Sequence, residues 1–282
     1  MINLLRMDLY RLKRSKSVYI CLGILMAATV LAFSMIYLVA TPQGQNFALK
    51  IGLLDNSEIE EGQAIVMLDV SGIEEGQAMV NGADSLDMFR ETCMDGGMFG
   101  CVIGIIITLF MCGDFQNGFI KNIMSLHRTR WKYIGSKLAA AGILNFFFLI
   151  VCFLFNSLMN LLFHNMVSYA ALADILFYLA LAWFINTAFS ALVILACILT
   201  RSTAAGVMTS LLLCGGIIQS VLGQITSLFH MDGWLKYTLY YNMSAAPSAY
   251  SGIGDLKGAV LGLAFIVIYS AAAAFFVTRQ DI

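Results

Sequence analysis

Four amides and a hydroxyl, Asn145, Asn156, Asn160, Asn186 and Ser190, are among the hydrogen-bonding side chains that stand inside apolar stretches of this sequence. Asn145 and Asn156 are eleven residues apart, close to three helical turns, and Asn160 follows one turn later, so the three share a helix face. Asn186 and Ser190 form a similar pair one turn apart. An amide facing hydrocarbon loses its bonds to water without replacement, so these groups must face protein or a wet path. Two uses follow: hydrogen bonding between helices, or lining a translocation pathway. A second set carries charge. Between Asp114 and Lys137 lie Gly118, Lys121, Asn122, Arg128, Arg130 and Lys132. Such a basic segment can dock on carboxylates or lipid phosphates, or can simply hold a loop on the cytoplasmic face of a membrane.

Chemistry that is missing narrows the function. No GxxxxGK[ST] phosphate loop occurs. The middles of the apolar stretches carry no Asp, Glu, Lys or Arg, where proton- or ion-coupled carriers usually place one. Glu60 and Glu61 lie in a polar stretch, far from a histidine that could complete a membrane protease. The seven cysteines show no CxxC or metal spacing, and five of them sit in apolar runs as small hydrophobes. The expectation is a protein without catalytic group, metal or cofactor, and without a nucleic-acid partner. Its energy must come from elsewhere.

The elements that position these residues are membrane helices. The chain is 60% hydrophobic and 12% charged, against about 25% charged in soluble domains. Runs of about 20 apolar residues cross a bilayer. They predict an all-α polytopic protein with six spans, over 18–40, 96–113, 138–162, 174–199, 203–223 and 257–277. The first run, 23 residues from Val18 to Ala40, is too long for a signal-peptide core and reads as an uncleaved span. Before it, residues 1–17, MINLLRMDLYRLKRSKS, place Leu5, Leu9 and Leu12 on one face among five basic residues. That pattern predicts a helix lying in the membrane interface, with a plain basic anchor as the alternative. Residues 224–256 are too polar for a span, are rich in tyrosine, and are broken by Gly233, Pro247, Gly252 and Gly254. Short re-entrant helices between spans five and six suit this composition.

Small residues recur every fourth position at Gly96, Gly100 and Gly104, at Ser202, Gly206 and Ser210, and at Gly254, Gly258 and Gly262. Strips of this kind let helix backbones approach closely, which predicts a bundle. Orientation follows from charge. In a six-span topology twelve of the sixteen Lys and Arg fall on one side, which predicts both termini in the cytoplasm and a multi-pass plasma-membrane protein. The spanning domain is then 18–282, with an extracytoplasmic loop over 41–95 and a cytoplasmic segment over 114–137. The outer loop has eleven acids against two bases and repeats Ile59–Val66 as Ile73–Val80 with a period of 14. It reads either as a small cap of two similar units or as a solvated acidic loop.

The stretch from Asp114 through Gly118, Lys121, Asn122, Arg128, Arg130 and Tyr133 to Lys137 resembles that of the type-2 ABC permeases, the type V exporter class. In that family an acid ends span two, a Gly and a Lys/Arg-Asn step follow, and Arg, an aromatic and a Lys lead into span three. The usual acid is Glu, where this chain has Asp114. The family's interfacial helix before span one and its re-entrant helices match 1–17 and 224–256. The resemblance implies that 114–137 couples the permease to a separate ATP-binding-cassette ATPase, and that a second permease chain, identical or related, completes the pathway in the lipid bilayer. It implies export of a hydrophobic or amphipathic drug, peptide or lipid. The other class open at this point is a non-transporting membrane scaffold or sensor, with the acidic loop as its binding module.

Overall fold

The computed structural model describes residues 2–40, 84–94, 97–118, 131–163, 165, 167–228, 232–250 and 252–279. The chain is all-α. Helix α1 (Ile2–Arg14) is separated from α2 (Lys16–Ala40) by Ser15 alone. Next come α3 (Ser85–Phe89), continued by a π-helical turn (Arg90–Met94), then α4 (Met98–Gln116), α5 (Trp131–Leu162) and α6 (Leu172–Thr200). The chain closes with α7 (Thr203–Cys214), α8 (Ile217–Leu228), α9 (Leu239–Ser244) and α10 (Lys257–Arg279), with 3-10 turns at Asp232–Tyr237 and Ile253–Leu256. Among the described residues five helices are long and apolar enough to cross a membrane, and α7 with α8 makes a sixth if the bent pair counts as one span. Side chains alone do not give these helices a strong polar face; they are apolar nearly all round, as helices between lipid and protein must be.

Helix α6 is the centre of the bundle, touching α4, α5, α7 and α10. Strip against strip sets the spacing. A Cβ added at Gly100 would lie 2.8 Å from Cys214 Sγ, and one at Gly104 would lie 2.5 Å from Ser210 Cβ. On the facing side, a Cβ at Gly206 would come within 2.5 Å of Thr108 Cγ2 and 2.8 Å of Cys197 Sγ. Helix α7 is therefore seated between α4 and α6 by contacts that only small residues allow. The third strip does the same for α10: a Cβ at Gly262 would meet the backbone carbonyl carbon of Phe184 at 3.1 Å. Gly96 lies outside the described residues. Its neighbour Gly97 has a φ of +69° and a Cys214 oxygen where a Cβ would stand, so the start of α4 requires glycine there.

Three expectations need correction. The fifth span is not one helix over 203–223. Helix α7 ends at Cys214, and α8 leaves it at 56° after a two-glycine break. Twelve residues of α7 rise only about 18 Å, short of a ~30 Å hydrocarbon core. Gly216 makes the break: its φ is +73°, and Tyr240 Oη lies 2.6 Å from where its Cβ would be. Hydropathy could not register the break, because both sides of it are apolar.

The end of the 41–95 segment is also not loop. Leu86, Met88, Phe89, Cys93 and Met94 are buried, and Ser85 N donates to Ser168 O at 2.7 Å. Acids between these apolar residues masked their pattern. The 59–80 repeat lies outside the described residues. Finally, α1 buries Leu4, Asp8 and Leu12 rather than the predicted Leu5, Leu9 and Leu12 face; Leu5 and Leu9 are only partly covered. Helix α1 packs on α5, so that face meets protein and not only lipid.

Candidate functional site

The helix ends that meet at Asp114 and Lys137 form a buried ionic junction. Asp114 lies in the last turn of α4, Lys137 in the second turn of α5, and Asp8 and Arg11 one turn apart on α1. Asp8, Asp114 and the Lys137 side chain are fully buried, and Arg11 is partly so. Lys137 Nζ is 2.8 Å from Asp8 Oδ1 and 2.6 Å from Asp114 Oδ2. The same ammonium stands 3.8 Å from the Phe110 ring centroid, a cation–π contact that occupies its remaining face. Arg11 Nη1 lies 2.6 Å from Asp114 Oδ1, an ion pair by distance without hydrogen-bond alignment. Ser136 Oγ donates to Asp8 Oδ2 at 2.7 Å, and Tyr133 Oη donates to Asp114 Oδ2 at 3.1 Å.

The charges balance: two carboxylates face one ammonium and one guanidinium. Burying an ion costs several kcal/mol after relaxation, and only close partners offset it. Every member here has one. The junction therefore holds only when α1, α4 and α5 are in register, and it ties their ends together as a unit. The span-three boundary shifts accordingly. Helix α5 begins at Trp131 rather than 138, so Lys137 is an ion inside the helix and not part of a loop.

Asp8 was not among the residues that the sequence singled out. Its signal was the break it makes in the Leu4–Asp8–Leu12 row, an acid at a stripe position where apolar residues precede and follow at four-residue steps. Gly118, singled out for a turn, has a φ of +65°, with nothing among the described residues within 4 Å of an added Cβ, and its N–H reaches Phe115 O at 3.3 Å. It ends α4 in the left-handed conformation that glycine favours at helix C-termini. Lys121, Asn122, Arg128 and Arg130 lie outside the described residues. The basic segment 114–137 is thus helical at both ends, with Asp114 and Lys137 engaged inside the protein.

Asn145, Asn156, Asn160, Asn186 and Ser190 are all buried. Asn145 Nδ2 donates to Ser190 Oγ at 2.8 Å, joining α5 to α6, and Ser190 Oγ donates to Asn186 O at 2.8 Å. Asn156 Nδ2 donates to Thr92 Oγ1 at 2.8 Å, joining α5 to the π-helical turn. Asn160 clamps the α5–α6 connection, donating to Val167 O at 2.9 Å and accepting from Val167 N at 3.2 Å. Asn186 Nδ2 returns to Ala182 O at 2.9 Å. The shared face read from spacing is thus a seam down α5 that bonds to three different elements.

The seven cysteines are free thiols, and no group of residues among those described has the composition and spacing to hold a metal ion. At the level of sequence families, the model for the ABC-2 family transporter protein matches residues 62–248, more than half of the chain and the stretch that contains the ionic junction's α4 and α5 members. Among curated proteins, nothing matches this chain.

Proposed function

The chain belongs to the ABC-2 family of transporter proteins, and from that premise we propose that it is the membrane subunit of an exporter driven by ATP hydrolysed on a separate chain. As a family member it is a multi-pass membrane permease of an ABC transporter. The ATPase seats on the segment between α4 and α5, and a second permease chain, identical or related, encloses the pathway. The substrate is a hydrophobic or amphipathic compound. Both termini lie in the cytoplasm, with residues 1–17 as an interfacial helix and 41–95 outside. The scaffold or sensor alternative has no observation beside the acidic composition of 41–95, and family membership favours transport.

The observation that carries the coupling is the ionic junction. The 117–130 connection joins the ends of α4 and α5, and Lys137 binds both ends to α1. A displacement of that connection by a docked ATPase would move three helices together instead of bending one. On this reading Arg128 and Arg130 supply cations for carboxylates of the partner. Replacing both by Glu should leave insertion intact, because Lys121, Lys132 and Lys137 still mark the cytoplasmic side. Copurification with the cognate ATPase should fall at least about ten-fold, since reversing rim charges costs several kcal/mol when like charges meet. A variant that keeps normal complex yield and substrate-stimulated hydrolysis would reduce the segment to a positive-inside loop.

Topology has its own test. On a background without native cysteines, Ser71→Cys should react with a membrane-impermeant maleimide added outside intact cells, and Ser125→Cys only after permeabilisation. The opposite pattern would overturn the orientation.

A further inference from the structure

We propose that the end of the bundle opposite the ionic junction holds a binding site for an anionic phospholipid, in a cleft between the 232–256 segment and helices α6 and α10. The cleft has a volume of about 1000 Å³, at the upper end of the range of pockets that enclose small molecules. Its apolar wall is made by Leu181 of α6 and Val260 and Leu261 of α10. Its rim carries Lys236, Lys257 and Tyr241. Val260 is 63% exposed, so the apolar wall continues onto the outer surface of α10, where acyl chains would lie.

Two features select an anion with a tail. Lys236 and Lys257 are both exposed, and no carboxylate among the described residues pairs with either. Asp255, the one acid among the described residues that line the cleft, is engaged by its own turn, its Oδ2 accepting from Gly252 N at 3.0 Å. The cleft thus presents two cations beside an apolar wall, with the Asp255 carboxylate already engaged. A phosphodiester meets the lysines, a glycerol meets Tyr241, and an acyl chain follows Leu181 and Val260. Tyrosine at such an edge suits the headgroup level of a bilayer. A small soluble anion would satisfy the lysines and leave the apolar wall bare. Transport and ATPase docking play no part in this inference, so its test needs neither.

The full chain is reconstituted in phosphatidylcholine nanodiscs with a trace of spin-labelled phosphatidylglycerol or spin-labelled phosphatidylcholine. The motionally restricted fraction of each label is then read by electron paramagnetic resonance. The wild-type protein should restrict phosphatidylglycerol over phosphatidylcholine. The Lys236→Gln/Lys257→Gln double variant should lose that preference by about thirty-fold, the factor for two basic residues near an anionic lipid surface, while restriction of phosphatidylcholine stays unchanged. Lys236→Arg/Lys257→Arg should retain it. Equal restriction of both labels by wild type, or a preference that survives the double Gln variant, would overturn the site. Release of the restricted phosphatidylglycerol by millimolar inorganic phosphate would overturn the lipid assignment in favour of a free phosphate site.

Discussion

Lys137→Ala should destabilise the protein by about 3–5 kcal/mol, the cost of breaking a buried ion pair by removing one partner. The alanine leaves Asp8 without a cation and Asp114 with Arg11 alone, in a site where both carboxylates are fully buried. Set against a typical total of about 5–15 kcal/mol, that loss should appear as a lower melting temperature in detergent and a reduced yield of monodisperse protein. Charge, and not volume, carries the effect. Lys137→Met keeps an unbranched stem but drops the ammonium that stands over Phe110, and it should behave nearly as badly as alanine. Adding Asp8→Asn to Lys137→Met removes the stranded carboxylate and leaves Arg11 facing Asp114. The double variant should recover a substantial part of the lost stability. If the double variant melts below both single variants, the junction is not the paired unit that its distances describe. A Lys137→Ala protein that melts like wild type would sink it outright.

Gly206→Leu should expel α7 from its seat. The position is closed on both sides, with Thr108 of α4 at 2.5 Å and Cys197 of α6 at 2.8 Å from an added Cβ. Overpacking a tight site by a few methylenes costs about 1–3 kcal/mol and sometimes more. Here the obstruction starts at the first carbon, so leucine belongs at the upper end or beyond. Gly206→Ala should already lower the melting temperature. Gly23→Ala on α2, where nothing lies within 4 Å of the new carbon, should not. Cysteine accessibility gives a second readout independent of yield: Cys197 and Cys214 are buried in wild type and should become reactive to a thiol probe once α7 is displaced. Unchanged melting and unchanged thiol protection in Gly206→Leu would mean that α7 packs elsewhere.

These two sites differ in how far the amino-acid sequence anticipates them. The small-residue strips are readable in one dimension, because a helix repeats its face about every fourth residue and glycine in an apolar run has few uses other than close approach. Gly100, Gly104, Gly206 and Ser210 were singled out by spacing and do face one another across α4 and α7. Which strip meets which was not readable, since any two of the three could have paired. The seam of Asn145, Asn156 and Asn160 was likewise legible as a shared face, while its partners Ser190, Thr92 and Val167 were not.

What the sequence determines by itself is set by the solvent. Apolar runs of spanning length, the clustering of basic residues and the absence of charge within most spans follow from the cost of placing polar groups in hydrocarbon, and that cost acts on each segment separately. Such terms give the helices, their approximate number and the class of protein. The tertiary structure alone decided the rest, because it depends on groups far apart in the chain. Asp8 and Lys137 are separated by 129 residues, and each can be buried only because the other arrives to offset the cost. The break between α7 and α8 has the same origin. Gly215 and Gly216 are compatible with a continuous apolar span, and it is Tyr240, from a later segment, that covers Gly216 and leaves no room for a side chain there.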